Sequence, residues 1–298
     1  MVELQRIATE QRNPNTAHID TLSTLDMVKL INQEDHNVAD AVAAVTPKIA
    51  EAIDVIADRL SNGGRLIYSG CGTSGRLGIL DAVECPPTYS TDPELVQGLI
   101  AGGYPAIFKA VEGAEDNFDL GRMDLEAIHF SEKDVLVGLA ASGRTPYVLG
   151  AMDYAKKLGA AVIGVTCCPG SEIDQSADIG ISPTPGPEVI TGSTRMKSGT
   201  AQKMVLNMLS TGTMIKMGKV YGNLMVDVKP SNEKLVRRCI TIVCAAAECD
   251  EQTAIAALEA CGYHPKTAIV MILKHTDTAQ AEALLAQANG RIARVLEV

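Results

Sequence analysis

The stretch RLIYSGCGTSGRLGILDAVEC (65–85) joins a short apolar run to an amphipathic one through a glycine-rich turn, and its reading decides the fold. Residues 65–70 end in glycine, as a short buried strand does. Residues 74–85 carry apolar side chains at helical spacing and stop at Pro86-Pro87. The alternation then repeats. LVQGLIAG (95–102), DVLVGLAAS (134–142), AVIGVTC (161–167) and DIGISPT (178–184) read as strands, with helical segments from about Tyr104 to Ile128 and over PYVLGAMDYAKKLG (146–159). Strands alternating with helices predict an α/β fold, a doubly wound parallel five-stranded sheet covered on both faces.

Upstream, a polar N-terminal arm precedes a long helix over Val38 to Leu60, closed by Asn62-Gly63-Gly64. Downstream, another long helix runs from Thr194 to Met217. The texture changes near Pro230. Asp250 caps EQTAIAALEAC, Pro265 opens KTAIVMILKH and Asp277 caps TAQAEALLAQAN, which predicts a small C-terminal all-helical bundle. The expected domains are therefore 1–230 and 231–298. Within the second, AALEACGYHPKTAIVMIL resembles ubiquitin-associated three-helix domains, and it reads either as a packing module or as one that supports interaction or dimerisation.

Composition narrows the function. The chain has 298 residues, which suits about two domains, and its 36 acidic against 26 basic side chains give a net charge of −10. That field repels polyanions, and aromatics are only 3% with no Trp, so nucleic acid is not an expected partner. One small anion is still compatible, because backbone amides and local cations can hold a phosphate. The N-terminal residues carry no apolar leader and no apolar run approaches the ~20 residues a bilayer needs, so no membrane is expected and the location reads as cytoplasmic. Eight cysteines include no CxxC pair, and none of the five histidines has metal-ligand spacing, so the thiols read as reduced and no metal is expected.

The turn Gly70-Cys71-Gly72-Thr73-Ser74-Gly75 contains a literal GxGxxG, which on its own suggests a dinucleotide. The next strand ends in Ala101-Gly102-Gly103 where that fingerprint wants an acidic residue, and no GKS or GKT follows the glycines; no cofactor is expected. An internal echo is more informative. Ser74-Gly75-Arg76 after the first strand returns as Ser142-Gly143-Arg144, followed by Thr145, after the third. Both loops belong at the carboxyl edge of the sheet, where reversal of strand order opens a crevice, and each offers hydroxyls and amides at a helix N-terminus. Thr73, Ser74, Ser142, Arg144 and Thr145 are the candidate phosphate ligands, joined by Ser193 and Thr194 from the cluster TGSTRMKSGT (191–200). Glu84, ending a helix just before Pro86-Pro87, is the candidate general acid, since the negative end of a helix suits a protonated group. Glu115, in VEGAED (111–116), is the candidate base.

RLIYSGCGTSGRLGILDAVECPPTY, VEGAED, ASGRTPYV, GPEVITGSTRMKSGTAQK and NLMVDVKPSNEKL together resemble the bacterial N-acetylmuramic acid 6-phosphate etherases, from about Ile19 to the C-terminus. The GSTRMKSGTAQK block is also similar to the related glucokinase regulatory protein. The resemblance implies a sugar isomerase (SIS) type domain, a homodimer, and cleavage of the D-lactyl ether of a sugar phosphate in cell-wall recycling. It carries the acid/base pair onto Glu84 and Glu115; because Glu84 ends a helix and Glu115 begins a helical stretch whose positive end favours the carboxylate, Glu84 is expected to protonate the departing lactate and Glu115 to be the base at carbon 2 and for the incoming water. Cys71 and Ser69 are expected to vary without consequence. Elimination from the open-chain sugar needs a base, an acid and a phosphate anchor, and no metal or nucleotide. Thr73 and Glu84 stand eleven residues apart on one helix, roughly 15 Å at 1.5 Å per residue. One subunit cannot bring both to one sugar, so the active site is expected to be shared across the dimer. Two other readings are an aldose–ketose isomerase and a non-catalytic sugar-phosphate sensor, and release of lactate separates all three.

Overall fold

The computed structural model describes residues 8–297, apart from 229 and 231. Two helices, α1 (Thr24–Ala43) and α2 (Thr46–Ser61), lead into β1 (Leu66–Gly70) and α3 (Gly72–Tyr89). There follow β2 (Val96–Ile100), α4 (Pro105–Phe108), α5 (Phe118–Ala127), β3 (Val135–Leu139), α6 (Pro146–Leu158), β4 (Ala161–Val165), α7 (Glu172–Ser176), β5 (Ile179–Ile181) and α8 (Lys197–Lys216). The five strands lie in the order β2-β1-β3-β4-β5, every neighbouring pair parallel. The doubly wound expectation holds, and all five strands end level: Gly70 faces Ile100 and Leu139, Leu139 faces Val165, and Val165 faces Ile181. Every residue of β1 and β3 is buried, as strands covered on both faces require. On one face Ile67, Leu136 and Val162 pack with Val148 and Met152 of α6 and Leu125 of α5. On the other, α3 lies so close that a Cβ on Gly78 would stand 2.8 Å from the Cβ of Tyr68. Asp81 of α3 ties this layer together, accepting from Tyr68 Oη at 2.8 Å, Asn207 Nδ2 at 2.7 Å and Ser210 Oγ at 3.1 Å.

Four helix boundaries differ from the periodicity. The expected helix over Val38 to Leu60 is two: Pro47, in the first turn of α2, has no N–H to give Ala43, so the chain breaks and restarts. Helix α3 does not stop at Pro86-Pro87 but continues to Tyr89, with the Ser90 amide donating to Pro86 O at 2.9 Å. The ring fixes φ near the helical value, so what the prolines remove is only the partners of the Ala82 and Val83 carbonyls. From Tyr104 to Ile128 only α4 and α5 are helical; Gly113 at φ +74° turns the chain between them, and Asn117 caps α5 through Leu120 N at 3.1 Å. Helix α8 starts at Lys197 rather than Thr194.

The chain divides into two compact units, the first of the described residues up to Val83 with Glu94–Ser210, the second of Glu84–Pro93 with the described residues from Thr211 onward. In the second, a hairpin of β6 (Val220–Tyr221) and β7 (Leu224–Met225) precedes α9 (Glu233–Ala247), α10 (Glu251–Ala260), α11 (Pro265–Lys274), α12 (Thr278–Gln287) and α13 (Ile292–Glu297). The three helices read from sequence are α10, α11 and α12. Asp250 and Asp277 cap as expected, accepting from Thr253 N at 2.8 Å and Gln280 N at 2.9 Å. Helices α9 and α13 are additional, and Val243, Leu258, Ile269, Leu285 and Val295 form one core through all five. Lys229 and Ser231, beside the expected boundary at 230/231, lie outside the described residues.

Candidate active site

Strands β1 and β3 are adjacent at the centre of the sheet, while the chain leaves β1 for β2 on the opposite side. Their carboxyl ends therefore flank the topological switch point, where doubly wound sheets open a crevice. The turn after β1 is tight because it lacks side chains: a Cβ on Gly75 would stand 2.7 Å from Gly70 O, and Gly72 sits at φ +53°. It delivers the first amides of α3 to the sheet edge. The turn after β3 is as cramped, since a Cβ on Gly143, at φ +69°, would collide with Ser171 Oγ. The third cluster converges with the first. A Cβ on Gly199 would lie 3.4 Å from Thr73 Cγ2 and 3.5 Å from Thr194 O.

The candidate phosphate ligands divide into engaged and open groups. Ser74 is buried and donates to Gln202 Oε1 at 2.8 Å; Thr145 is buried and donates to Glu115 Oε1 at 3.1 Å. Among the described residues no partner accompanies the hydroxyls of Thr73, Ser142, Ser193 and Thr194, all half-buried, or the exposed guanidinium of Arg144. The two cations expected from the third cluster differ in the same way. Arg195 is exposed, whereas Lys197 is fully buried with Nζ 2.7 Å from Glu34 Oε2. The N-terminus of α8 already holds an anion as well. The buried Glu188 carboxylate accepts from Lys197 N and Ser198 N, both at 2.9 Å. Capping at this helix comes from that carboxylate and not from the hydroxyl cluster.

Glu115 lies in the loop between α4 and α5 and does not begin a helix, contrary to expectation. A different helix supplies the positive end beside it. Its carbonyl accepts from Tyr147 N at 3.0 Å and its carboxylate from Thr145, the residue that precedes α6. Glu115 lines a cleft of about 270 Å³ with Cys71, Gly72, Arg76, Val111 and Asp116, just below the range of about 300–1,000 Å³ usual for small-molecule sites. Cys71 thus lines this cleft. Burial, then the Glu115 charge, push its thiol up to about 11, so it stays a neutral donor at physiological pH. Two clefts about twice as large lie elsewhere on the first unit. One, of about 580 Å³, sits at the amino ends of β4 and β5, where the topology opens no crevice, and the other, of about 570 Å³, lies between α6 and α7.

Glu84 is exposed on α3, five residues before the helix ends, and belongs to the second unit. It is therefore not in the final turn, and the dipole argument for it is weaker than the sequence suggested. Among the described residues no three His, Cys, Asp or Glu side chains gather as a metal would need, and no helix is long and apolar enough to cross a membrane.

Several residues that are not among the candidate ligands hold the site together. Gln202 joins the start of α3 to the end of β4, accepting from Ser74 and donating to Val165 O at 3.4 Å. Arg76, in the first SGR, spends its guanidinium on the carbonyls of Ile107 and Ala106, each at 2.8 Å, so the two arginines of the echo do different work. Glu34 accepts from Asn13 Nδ2 at 2.7 Å and Asn15 Nδ2 at 2.9 Å as well as pairing with Lys197. Asn13 also donates to Pro187 O at 3.2 Å and Thr16 Oγ1 to Val189 O at 2.8 Å, which laces the N-terminal arm over the segment leading to α8. Glu188 and Lys197 both stand inside GPEVITGSTRMKSGTAQK, but nothing in their spacing marks them as buried.

Residues 48–156 match the glucokinase regulatory protein N-terminal SIS domain, and residues 122–212 match the SIS domain. The chain is 59% identical over 295 residues to the N-acetylmuramic acid 6-phosphate etherase of Klebsiella aerogenes, covering 99% of this chain and 98% of that protein. It is 61% identical over 291 residues to the enzyme of the same name from Photorhabdus laumondii, covering 98% and 97%. Among solved structures, a putative phosphosugar isomerase involved in capsule formation from Bacteroides fragilis superposes with a TM-score of 0.52 at 21% identity, covering 67% of this chain and 95% of that one, a likeness of fold.

Proposed function

The chain belongs to the N-acetylmuramic acid 6-phosphate etherase family, and from that premise we propose that it cleaves the lactyl ether of N-acetylmuramic acid 6-phosphate by elimination followed by hydration, in cell-wall recycling. The observation that carries the chemistry is Glu115, lining a cleft at the carboxyl edge of β1 and bonded to the loop after β3. An alkyl ether resists direct hydrolysis, but in the open-chain sugar its oxygen is β to the aldehyde. Glu115 takes the proton at carbon 2, the carbon 3–oxygen bond breaks, and Glu84 protonates the departing lactate oxygen. Proton balance then reverses the roles. Glu84, now a carboxylate, takes a proton from water as it adds at carbon 3, and Glu115 returns its proton to carbon 2. Activation of the water thus passes from Glu115, where the sequence reading had it, to Glu84. The products are N-acetylglucosamine 6-phosphate and D-lactate, and both glutamates are regenerated.

For the phosphate we propose the open groups: the hydroxyls of Thr73, Ser142, Ser193 and Thr194, with Arg144 and the first amides of α3. Ser74 and Thr145 have their protons directed elsewhere and shape the loops. We place the protein in the cytoplasm, since a sugar phosphate is retained there and eight cysteines with no CxxC pair suit a reducing compartment. The test of function is release of D-lactate from N-acetylmuramic acid 6-phosphate. Stoichiometric lactate with N-acetylglucosamine 6-phosphate is the expected result; interconversion of sugar phosphates without lactate would make the protein an isomerase, and binding without turnover a sensor.

The homodimer is likewise proposed, with a second copy completing each site. Leu80 and Val83 of α3 are 50% and 58% exposed and Met208 of α8 37%, apolar side chains on two helices of the first unit that Asp81 and Asn207 join. Glu84 lies within α3, directly after Val83 in the chain. In the proposed dimer each Glu84 serves a sugar phosphate held by the loops of the other copy. Mixing two inactive variants, one changed at Glu84 and one at Ser142, is expected to restore about a quarter of wild-type activity, because random pairing makes half the dimers mixed and each mixed dimer has one intact site. Failure to complement despite demonstrated subunit exchange would refute a shared site.

A further inference from the structure

A threonine that precedes a helix ordinarily caps it, its hydroxyl accepting an amide of the first turn. Thr145 does not. It stands at the N-cap of α6 with no side-chain cap, and its hydroxyl donates instead to Glu115 Oε1 at 3.1 Å, from a residue only 5% exposed. The backbone repeats the connection two residues on, where Tyr147 N donates to Glu115 O at 3.0 Å. The loop that carries Glu115 is exposed and has Gly113 at positive φ beside it, so nothing in its own backbone would hold a long carboxylate side chain to one rotamer. Two hydrogen bonds to it come from the turn after β3, and the Cys71 thiol, from the turn after β1, adds a contact to the carboxylate.

We infer that Thr145 is a positioning residue for Glu115, its hydroxyl orienting the carboxylate over carbon 2, and is not a ligand of the substrate phosphate. This rests on the assignment of Glu115 as the carbon-2 base. The hydroxyl has one proton, and a phosphate and a carboxylate cannot both receive it. The same arrangement explains why an SGRT sequence follows one strand of the echo while the other has SGRL. In the first loop Leu77 stands where the second has Thr145, and the Ser74 hydroxyl joins Gln202.

The two roles predict opposite kinetics. If Thr145 aims the base, Thr145→Val lowers kcat for lactate release and slows exchange of the carbon-2 hydrogen with deuterated water by the same factor, about tenfold or more, the scale of a lost hydrogen bond to a charged group. KM stays within about threefold, and Thr145→Ser, which keeps the hydroxyl, recovers most of the rate. If instead KM for the sugar phosphate rises tenfold while kcat holds, or if neither changes, the inference is overturned. Glu115→Gln is measured alongside. Should that variant keep its exchange, the assignment of the base falls and the inference with it; should it lose exchange while Thr145→Val alters only KM, the inference alone falls. Thr145→Ala provides the same readout if the valine variant folds poorly.

Discussion

Glu84→Gln is expected to cut D-lactate release by about a hundredfold to ten-thousandfold, the range general acid–base groups supply, while still exchanging the carbon-2 hydrogen with deuterated water. Proton removal comes before departure of the ether, so a missing acid stalls the reaction after the first step. Glu115→Gln is expected to abolish exchange and turnover together. Mass spectrometry of recovered substrate and a lactate assay read both quantities on one sample. Loss of exchange in the Glu84 variant with retention in the Glu115 variant would interchange the roles, and lactate release at the unmodified rate from both would remove them from the mechanism.

The second large effect concerns stability. Lys197 and Glu34 form an ion pair with side chains 1% and 6% exposed, and deleting one partner of a buried pair costs about 3–5 kcal/mol because the other charge is left uncompensated. Lys197→Met should therefore lower the urea midpoint of the first unit steeply, and Glu34→Gln added to it should recover most of the loss. The pH dependence has a defined sign. Burial pushes the Glu34 carboxyl up, but hydrogen bonds from Lys197, Asn15 and Asn13 outweigh it and hold the group below its ordinary value of 4.5. Its contribution is thus complete above about pH 4.5 and is lost as pH falls through the lower folded-state value. In Lys197→Met the unpaired carboxyl is relieved by protonation, so the gap between the two proteins narrows on acidification. A gap that stays constant from pH 7 to 4 would count against this account.

Period and punctuation were enough to read the sheet. Five apolar runs bounded by glycine gave five strands at nearly their observed positions, and the echo of SGR located the two loops that the topology sets side by side. Helix boundaries were less legible because they depend on which amide goes unsatisfied: Pro47 broke a helix, whereas Pro86 and Pro87 did not. The candidate ligands were legible as residue types but not as hydrogen-bond states. Thr73 and Ser74 are neighbours of the same chemistry, yet only Ser74 lies against Gln202, which is 128 positions away in the chain. No local pattern encodes that pairing. The same holds for Glu34, whose partners Asn13 and Lys197 lie 21 and 163 residues from it.

Those separations set an order of events during folding. Glu34 and the asparagines that meet it leave the ribosome early, but Lys197 emerges only after all five strands have been synthesised, and Pro187 and Val189, which receive the arm, emerge little sooner. Until then the carboxylate stays hydrated and the arm has nothing to lie across. Contacts spanning 163 to 174 residues carry a large loop-closure cost before they return any enthalpy, so they belong to the late side of the folding barrier. Docking of the chain's beginning is accordingly a closing step, and it slows unfolding more than it speeds folding.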